Sequence, residues 1–381
     1  MANTARYRLN LYLNGNLVGD VRQIAQRLIW SRKRTKRGVD SIDFTINDKL
    51  FEKWCEQHYT TVGDLLKPYG LECRILRDDV PVVGGFLATM PGYYPRTSSA
   101  DLQMHFDGYL NLLAGVYIFN DGTKLPYGTV TGRMGALVQQ FITLANTRSS
   151  NAGKGFGFTA NDIDTLPSVT HTFDNYKPVK EFITDRCDNT EGAGPFDVYF
   201  YPDKSYDVKA DSNFGDVITG WVAQYPADPR RVSLSEISAP EMMDYASYIF
   251  AIGYGEISAN ADENTTIIAT ASNNAATAEY GYCERLESYS SVTRQTTLNQ
   301  KANTDLYILS NPVWRPEVVT NGKWLAPTPD GDNKIWIGDT ITIKNNADST
   351  GMTSGTFRVN ELEVTVSATG SEEIKPTLER V

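Results

Sequence analysis

This sequence is short of the residues that most enzyme and metal chemistry requires. Its three histidines, His58, His105 and His171, fall in no HExxH or HxH arrangement. Its four cysteines, Cys55, Cys73, Cys187 and Cys283, are widely spaced and form no CxxC pair, so neither a zinc site nor a disulfide framework is supported. No apolar run approaches the roughly 18 residues of a membrane-spanning helix, and Met1-Ala2-Asn3-Thr4-Ala5-Arg6 lacks the apolar core of a signal peptide. Asn264-Thr265-Thr266 is formally a glycosylation sequon, but it carries little weight without a secretion signal. Basic charge is also in deficit. With 36 Lys and Arg against 46 Asp and Glu, the net charge is −10, which argues against bulk nucleic-acid binding.

Motifs that carry chemistry are missing as well. Asn151-Ala152-Gly153-Lys154-Gly155-Phe156 looks like a phosphate loop only at first sight. Arg148 stands where the first glycine belongs, and Gly155 follows Lys154 where Ser or Thr is needed. Gly253-Tyr254-Gly255-Glu256 is too short to cradle a pyrophosphate and reads as a turn or close strand packing. Carboxylates are plentiful, yet no pair stands apart as a glycosidase would require. The expectation is a non-enzymatic protein with no cofactor and no metal.

What the chain does hold is β-structure. At 381 residues it exceeds one ordinary core, and 41% hydrophobic with 22% charged residues is a globular composition. Leu9, Leu11 and Leu13 alternate with Arg8, Asn10 and Tyr12, and Asn14-Gly15 then signals a type I′ hairpin. Leu28 to Trp30 and Ile42, Phe44, Ile46 predict a second strand pair. A helix over 48–58 and strands at 71–77, 81–90 and 101–106 complete a β-rich region. A different texture follows. Met134, Leu137, Val138, Phe141 and Ala145 have helical spacing, with Thr131 as the expected N-cap. Residues 148–161 read as a loop, Pro178 opens a second helix, and Phe196 to Val208 form a hairpin. Pro226-Ala227-Asp228-Pro229 and Ala239-Pro240 punctuate the exit, and 260–264 reads as an exposed loop.

The ending is the most patterned part. Leu298, Ala302 and Leu306 share one helical face, and Ile335, Ile337, Ile341 and Ile343 keep one parity around Gly338-Asp339. In Phe357, Val359, Leu362, Val364 and Val366 the parity slips near Asn360-Glu361, as it does at a bulge. The expected fold is mainly β with an α+β insertion: a tube-like barrel at 1–120, an inserted α+β domain at 121–230 and a second tube-like barrel with a short helix at 231–381. Two Gly-Asp leads, Gly19-Asp20 and Gly338-Asp339, are too short to establish a repeat.

Local character suggests roles for the remaining polar landmarks. Cys55 and Cys187 fall on apolar helical faces and read as small buried hydrophobes, which suits a reducing cytoplasm. His58, near a helix end, suits the dipole there, and His105 lies on the polar phase of its strand. The sharp electrostatic feature is Arg32-Lys33-Arg34-Thr35-Lys36-Arg37, five basic residues in six. As a solvated hairpin tip it discourages edge pairing. As a functional feature, Arg32, Lys33, Arg34, Lys36 and Arg37 form a candidate assembly contact for an acidic neighbour, or for nucleic acid passing nearby.

Taken in order, the chain resembles the tail hub proteins of long-tailed bacteriophages, the tail-associated (Tal-type) proteins of siphophages and the baseplate hubs of contractile tails. The residues that carry the resemblance are Leu28-Ile29-Trp30-Ser31-Arg32 with Asp40-Ser41-Ile42-Asp43-Phe44, then Asp197-Val198-Tyr199-Phe200-Tyr201-Pro202-Asp203. At the end they are Tyr280-Gly281 with Glu284, the helix from Thr296, Ile337-Gly338-Asp339-Thr340-Ile341 and Phe357-Arg358-Val359. The resemblance implies two tube-like barrels per subunit, so that a homotrimer presents a pseudo-sixfold ring joining the tail tube or distal tail ring to a central tip. It also implies tape-measure and tip or receptor-binding proteins as neighbours, genome DNA only passing through the channel, no stable membrane insertion, and a place in the virion tail after assembly in the host cytoplasm. The peptidase, lysin or receptor-binding extensions of many such hubs are not carried over. Competing readings are a tail-associated cell-wall hydrolase or carbohydrate-binding module, and a tail tube or neck protein.

Overall fold

The computed structural model describes residues 5–58, 60–95, 100–173, 175–187, 195–225, 232–233, 245–255, 266–290, 292–310, 318–321, 324–325, 334–346 and 354–381. The punctuation at 226–229 and 239–240, the 260–264 loop and the Asn264 sequon lie outside them. Two compact units result. The larger comprises 1–188, 193–239 and 316–381, the smaller 189–192 and 240–315.

The larger unit is built on one fourteen-stranded sheet. Its first hairpin, Tyr7–Leu13 with Asn16–Asp20, turns through Asn14 at φ 49° and Gly15 at φ 83°. Two successive left-handed residues define the type I′ turn anticipated from Asn-Gly. Tyr7–Leu13 lies against Leu71–Arg77, which pairs with Val80–Leu87, followed by Ala100–Gly108, Ser41–Asn47 and Ala25–Lys33. Leu9, Leu11, Ile42, Phe44 and Ile46 are buried at alternate positions, as a half-buried antiparallel sheet requires. Asp48–Gln57 is the anticipated helix. The Asn47 side chain accepts from the Leu50 N–H at 3.3 Å, and Phe51, Trp54 and Cys55 face the core.

The next partner of Ala25–Lys33 comes from the other end of the sequence. Residues 361–366 of the Gly355–Val366 strand pair with 28–33, from Glu361 opposite Lys33 to Val366 opposite Leu28. The first half of the same edge pairs with Thr340–Asn345, while Glu372–Arg380 runs along the opposite edge. One strand edge therefore serves two partners, and the register breaks between Val359 and Glu361. The parity slip read at Asn360-Glu361 is this bulge. The sequence pattern predicts two tube-like barrels. The strands of both ends form one continuous sheet, and no closed barrel occurs among the described residues. A local pattern reports alternation but cannot report a partner more than 300 positions away.

Between these ends lies a second apolar cluster, centred on Phe141, Phe173 and Phe182. Met134–Asn151 and Val179–Thr184 are its helices, and Phe196–Phe200 with Ser205–Ala210 its hairpin. Two local expectations need correcting. The first helix continues to Asn151, so 148–151 is not loop. Thr131 is not its cap. It sits in the Gly128–Arg133 strand, where its hydroxyl bonds that of Thr170 at 2.9 Å, and Arg133 holds the N-cap position. Threonine satisfies both roles, and here the sheet takes it.

The smaller unit has a three-stranded sheet with Tyr248–Ile252 at its centre, antiparallel to Ile268–Ser272 and parallel to Glu284–Ser288. Gln295–Leu309 packs Leu298, Ala302 and Leu306 onto Ile249, Ala251, Ala269 and Ala271. The alanines let the helix lie close. Residues 240–315 belong to this smaller unit and 316–381 to the larger one.

One turn in the larger unit demands glycine. Gly215 has φ +80°, and a Cβ there would lie 2.2 Å from the carbonyl carbon of Gly338, itself at φ +91°. Gly215→Ala is expected to destabilise the protein by more than about 1 kcal/mol in urea unfolding. Gly153→Ala, at φ +85° but facing open space, should cost less. Equal losses would remove the steric account.

Candidate functional site

The basic run does not project into solvent. Leu28, Trp30 and Arg32 share one parity of the Ala25–Lys33 strand, so Arg32 points where the core residues point, and it is 1% exposed. Its Nη1 donates to the Asp40 carboxylate at 2.5 Å and its Nη2 to the Phe200 carbonyl at 3.0 Å. The guanidinium carbon lies 4.1 Å from the centre of the Tyr199 ring, within cation–π range. Asp40 also accepts from the Lys33 backbone N–H at 2.7 Å.

Arg34 continues the parity and is 3% exposed. Its Nε donates to Asp197 at 2.9 Å, its Nη1 to the Asn360 side-chain oxygen at 3.2 Å, and its Nη2 to both Asp197 and Asp211. Its backbone N–H reaches the Asn360 carbonyl at 2.9 Å. Thr35 adds two further bonds, donating from its N–H to Asp197 at 3.0 Å and from its hydroxyl to the Val198 carbonyl at 3.0 Å. Three chain segments meet here: the connection between Ala25–Lys33 and Ser41–Asn47, the 196–211 segment and the bulge at Asn360.

The rest of the run is met at the rim. Lys33 pairs with Glu361 at 2.9 Å, and Lys36 and Arg37 both pair with Glu379 at 3.2 Å. Arg358 pairs with Asp211. Burial alone would raise the Asp211 carboxyl, but the Arg34 and Arg358 guanidiniums hold it below its usual range. Glu379 is likewise held low, against burial, by Lys36 and Arg37. The expected solvated tip is therefore corrected. Parity was the available signal for Arg32 and Arg34. The acidic partners of Arg34, more than 160 positions away, gave none.

Two smaller polar seams join distant parts of the same unit. Arg77 holds Glu372 in a fork, Nε at 2.6 Å and Nη2 at 2.8 Å, and the Tyr7 hydroxyl also reaches Glu372. Glu72 accepts from the Tyr109 hydroxyl at 3.3 Å and pairs with Lys204.

The remaining landmarks are dispersed. His58 closes its helix, Nδ1 2.8 Å from the Trp54 carbonyl and ring stacked on the Trp54 indole. His171 lies beside Arg186. His105 bridges Asp107 (Nε2, 3.1 Å) and Asp43 (Nδ1, 2.7 Å), and those bonds raise its pKa to about 10. Cys55, Cys73 and Cys187 are buried free thiols and Cys283 is exposed. No group of three or more His, Cys, Asp or Glu side chains is placed to hold a metal among the described residues.

Two outcomes follow from this geometry. Arg34→Met strands the Asp197 carboxylate, itself 2% exposed, and is expected to cost about 3–5 kcal/mol in chemical unfolding. Adding Asp197→Asn should recover much of that loss, because the stranded charge goes while the acceptor for Thr35 stays. A double variant no more stable than the single one would contradict the account.

His105 gives a pH signature. Its folded pKa lies above the usual histidine value of about 6.5, so its contribution to stability is complete below that value and is lost as pH rises toward about 10. The side chain is 45% exposed, so solvent screening limits the size. The stability gap between the unaltered protein and His105→Gln should shrink steadily across that window. A gap that is constant with pH would show that His105 is uncharged in the fold.

No protein-family model matches the sequence, and no curated protein matches it. Solved structures do. The tail protein from Neisseria meningitidis MC58 superposes with a TM-score of 0.59 at 12% identity, covering 98% of this chain and 96% of that one. The 43 kDa tail protein of prophage MuSo2 from Shewanella oneidensis gives 0.63 at 11% identity, covering 98% of each chain. Over nearly its whole length the chain has the fold of these tail proteins, and the resemblance to phage tail proteins read from its sequence is one that the fold shares.

Proposed function

We propose that this protein is a structural component of a phage tail, a hub whose copies assemble into a ring joining the tail tube or distal tail ring to the central tip. The observation that carries the reading is the likeness of fold to two tail proteins with almost no unmatched length on either side. The assembly is a homotrimer, with tape-measure and tip or receptor-binding proteins as neighbours and DNA only passing through. Its place is the virion tail, after assembly in the host cytoplasm.

Within this reading the basic run keeps a narrowed assembly role. Arg32 and Arg34 are committed to the fold. Lys33, Lys36 and Arg37 remain 27%, 23% and 24% exposed, and their exposed pairs to Glu361 and Glu379 are worth about 0–1 kcal/mol each. Such weak pairs can be shared with an acidic neighbour at low energetic cost.

Mass photometry and electron microscopy of the purified protein and of assembled tails test the proposal. Three copies per ring are expected, in a form inert toward cell-wall glycan and peptide substrates. A six-copy ring, a monomer in the assembled tail, or wall hydrolysis would overturn it. The triple variant Lys33→Gln, Lys36→Gln, Arg37→Gln should fold normally yet assemble less well, most visibly at low salt, since exposed charges are screened within about 8 Å at physiological ionic strength. Assembly equal to that of the unaltered protein at every salt concentration would remove the run from the interface.

A further inference from the structure

Next to the buried arginines lies a cavity of about 120 Å³ with four aromatic rings, Tyr199, Tyr201, Phe214 and Trp336, among its walls. Tyr199 meets Tyr201 edge to face at 4.7 Å and lies 5.8 Å from Phe214. The Trp336 indole N–H donates to the Tyr199 hydroxyl at 3.1 Å, which fixes two buried rings at the floor, and Arg32 already covers one face of Tyr199. The Gly215 and Gly338 turn sets Phe214 in place from beneath, because its ring packs where a Gly338 Cβ would stand. Tyr201 and Phe214 are only partly buried and present ring surface to the opening.

Two carboxylates, Asp207 and Asp216, and the Lys209 ammonium line the cavity. Asp207 is 6% exposed and accepts from the Tyr201 hydroxyl at 2.7 Å, the Asn161 amide at 2.9 Å and the Asp162 N–H at 2.9 Å. Those donors are neutral, and the nearby Lys209 ammonium also acts on Asp207 electrostatically. Lys209 also lines the space, but its ammonium is taken by Asp162, with Asp164 3.7 Å away. At the mouth stands Asp216, exposed, its carboxylate in no hydrogen bond or ion pair among the described residues.

Ring faces carry negative potential at their centres, and cations bind over them best where water is excluded. A carboxylate at the rim adds attraction and direction. The volume sets the size of the guest: it exceeds a single water, at about 30 Å³, and falls below the roughly 150 Å³ of an engineered apolar cavity that holds one benzene. A guanidinium or ammonium with its last methylenes is of a size to enter. We infer that this cavity is a cation cage that receives an arginine or lysine side chain from a neighbouring protein chain. The inference rests on the cavity alone and does not depend on the tail assignment.

The test uses the full chain labelled with ¹⁵N at tryptophan, following the Trp336 indole resonance, assigned with Trp336→Phe. N-acetyl-arginine methylamide, a side chain presented as a peptide presents it, should shift that resonance in a saturable way at millimolar concentrations. Butyrate and butanol should not. Asp216→Asn, at an exposed position that leaves folding intact, should weaken binding by about fivefold, in line with the cation–π and rim-charge range, and Phe214→Leu by a similar factor. Three results would overturn the inference: no shift up to tens of millimolar, an equal response to butyrate, or binding unchanged in Asp216→Asn. Binding of methylguanidinium with none of the peptide-like arginine would mean a site for a free small cation, and would overturn the docking role.

Discussion

A guanidinium removed from water has to be neutralised and bonded on nearly every side, and the larger unit is arranged around meeting that demand at Arg34. Its charge is balanced by Asp197 and Asp211, its geometry is completed by Asn360, and its own backbone bonds the Asn360 carbonyl. The three partner residues come from two regions that share no sequence neighbourhood with it. Apolar packing is non-directional and can be satisfied by many offsets. A buried ion cluster accepts few, since a shift of one residue would reverse the facing of every side chain in the strand. The cluster therefore acts mainly on register and mutual placement. Its net contribution to stability is smaller, because desolvation offsets most of the attraction.

The same logic explains why the bulge sits where it does. At Asn360 the strand 355–366 changes partners along one edge, from Thr340–Asn345 to Ala25–Lys33. A change of partner leaves a gap in the ladder, and Asn360 fills it with a side chain that bonds Arg34 on one side and Glu379 on the other. Arg77 with Glu372 repeats the device between the first strands and the last. Polar seams of this kind stand where segments distant in sequence become neighbours.

Local order was legible from residue pattern, and long-range order was not. The Asn14-Gly15 turn, the 48–57 helix, the 71–77 strand, the helix bearing Leu298, Ala302 and Leu306, and the slip at Asn360 all follow from periodicity or turn chemistry acting over a few residues. The joining of both ends into one sheet could not be read, because alternation tells which face a residue takes and is silent on its partner. The basic run was misjudged for a related reason. Charge density suggested solvent, while parity with Leu28 and Trp30 pointed inward, and only the positions of Asp197 and Asp211 decide between them. Thr131 failed differently, since a residue suited to both cap and strand carries no preference of its own.

The shared edge of the 355–366 strand also bears on how the chain is made. Ala25–Lys33 leaves the ribosome early, while the strand that completes it lies more than 300 residues further on. Until then its outer edge offers unpaired N–H and C=O groups to any other strand in reach. Pairing at such separation is slow to form, because loop closure precedes any gain from contact. The first hairpins are therefore expected to persist during synthesis as an incomplete sheet with one open side. During that interval Arg32 lies on the same open strand and Arg34 just past its end, so the groups that later fix its register first keep the waiting edge charged and hydrated, which disfavours premature pairing with another copy.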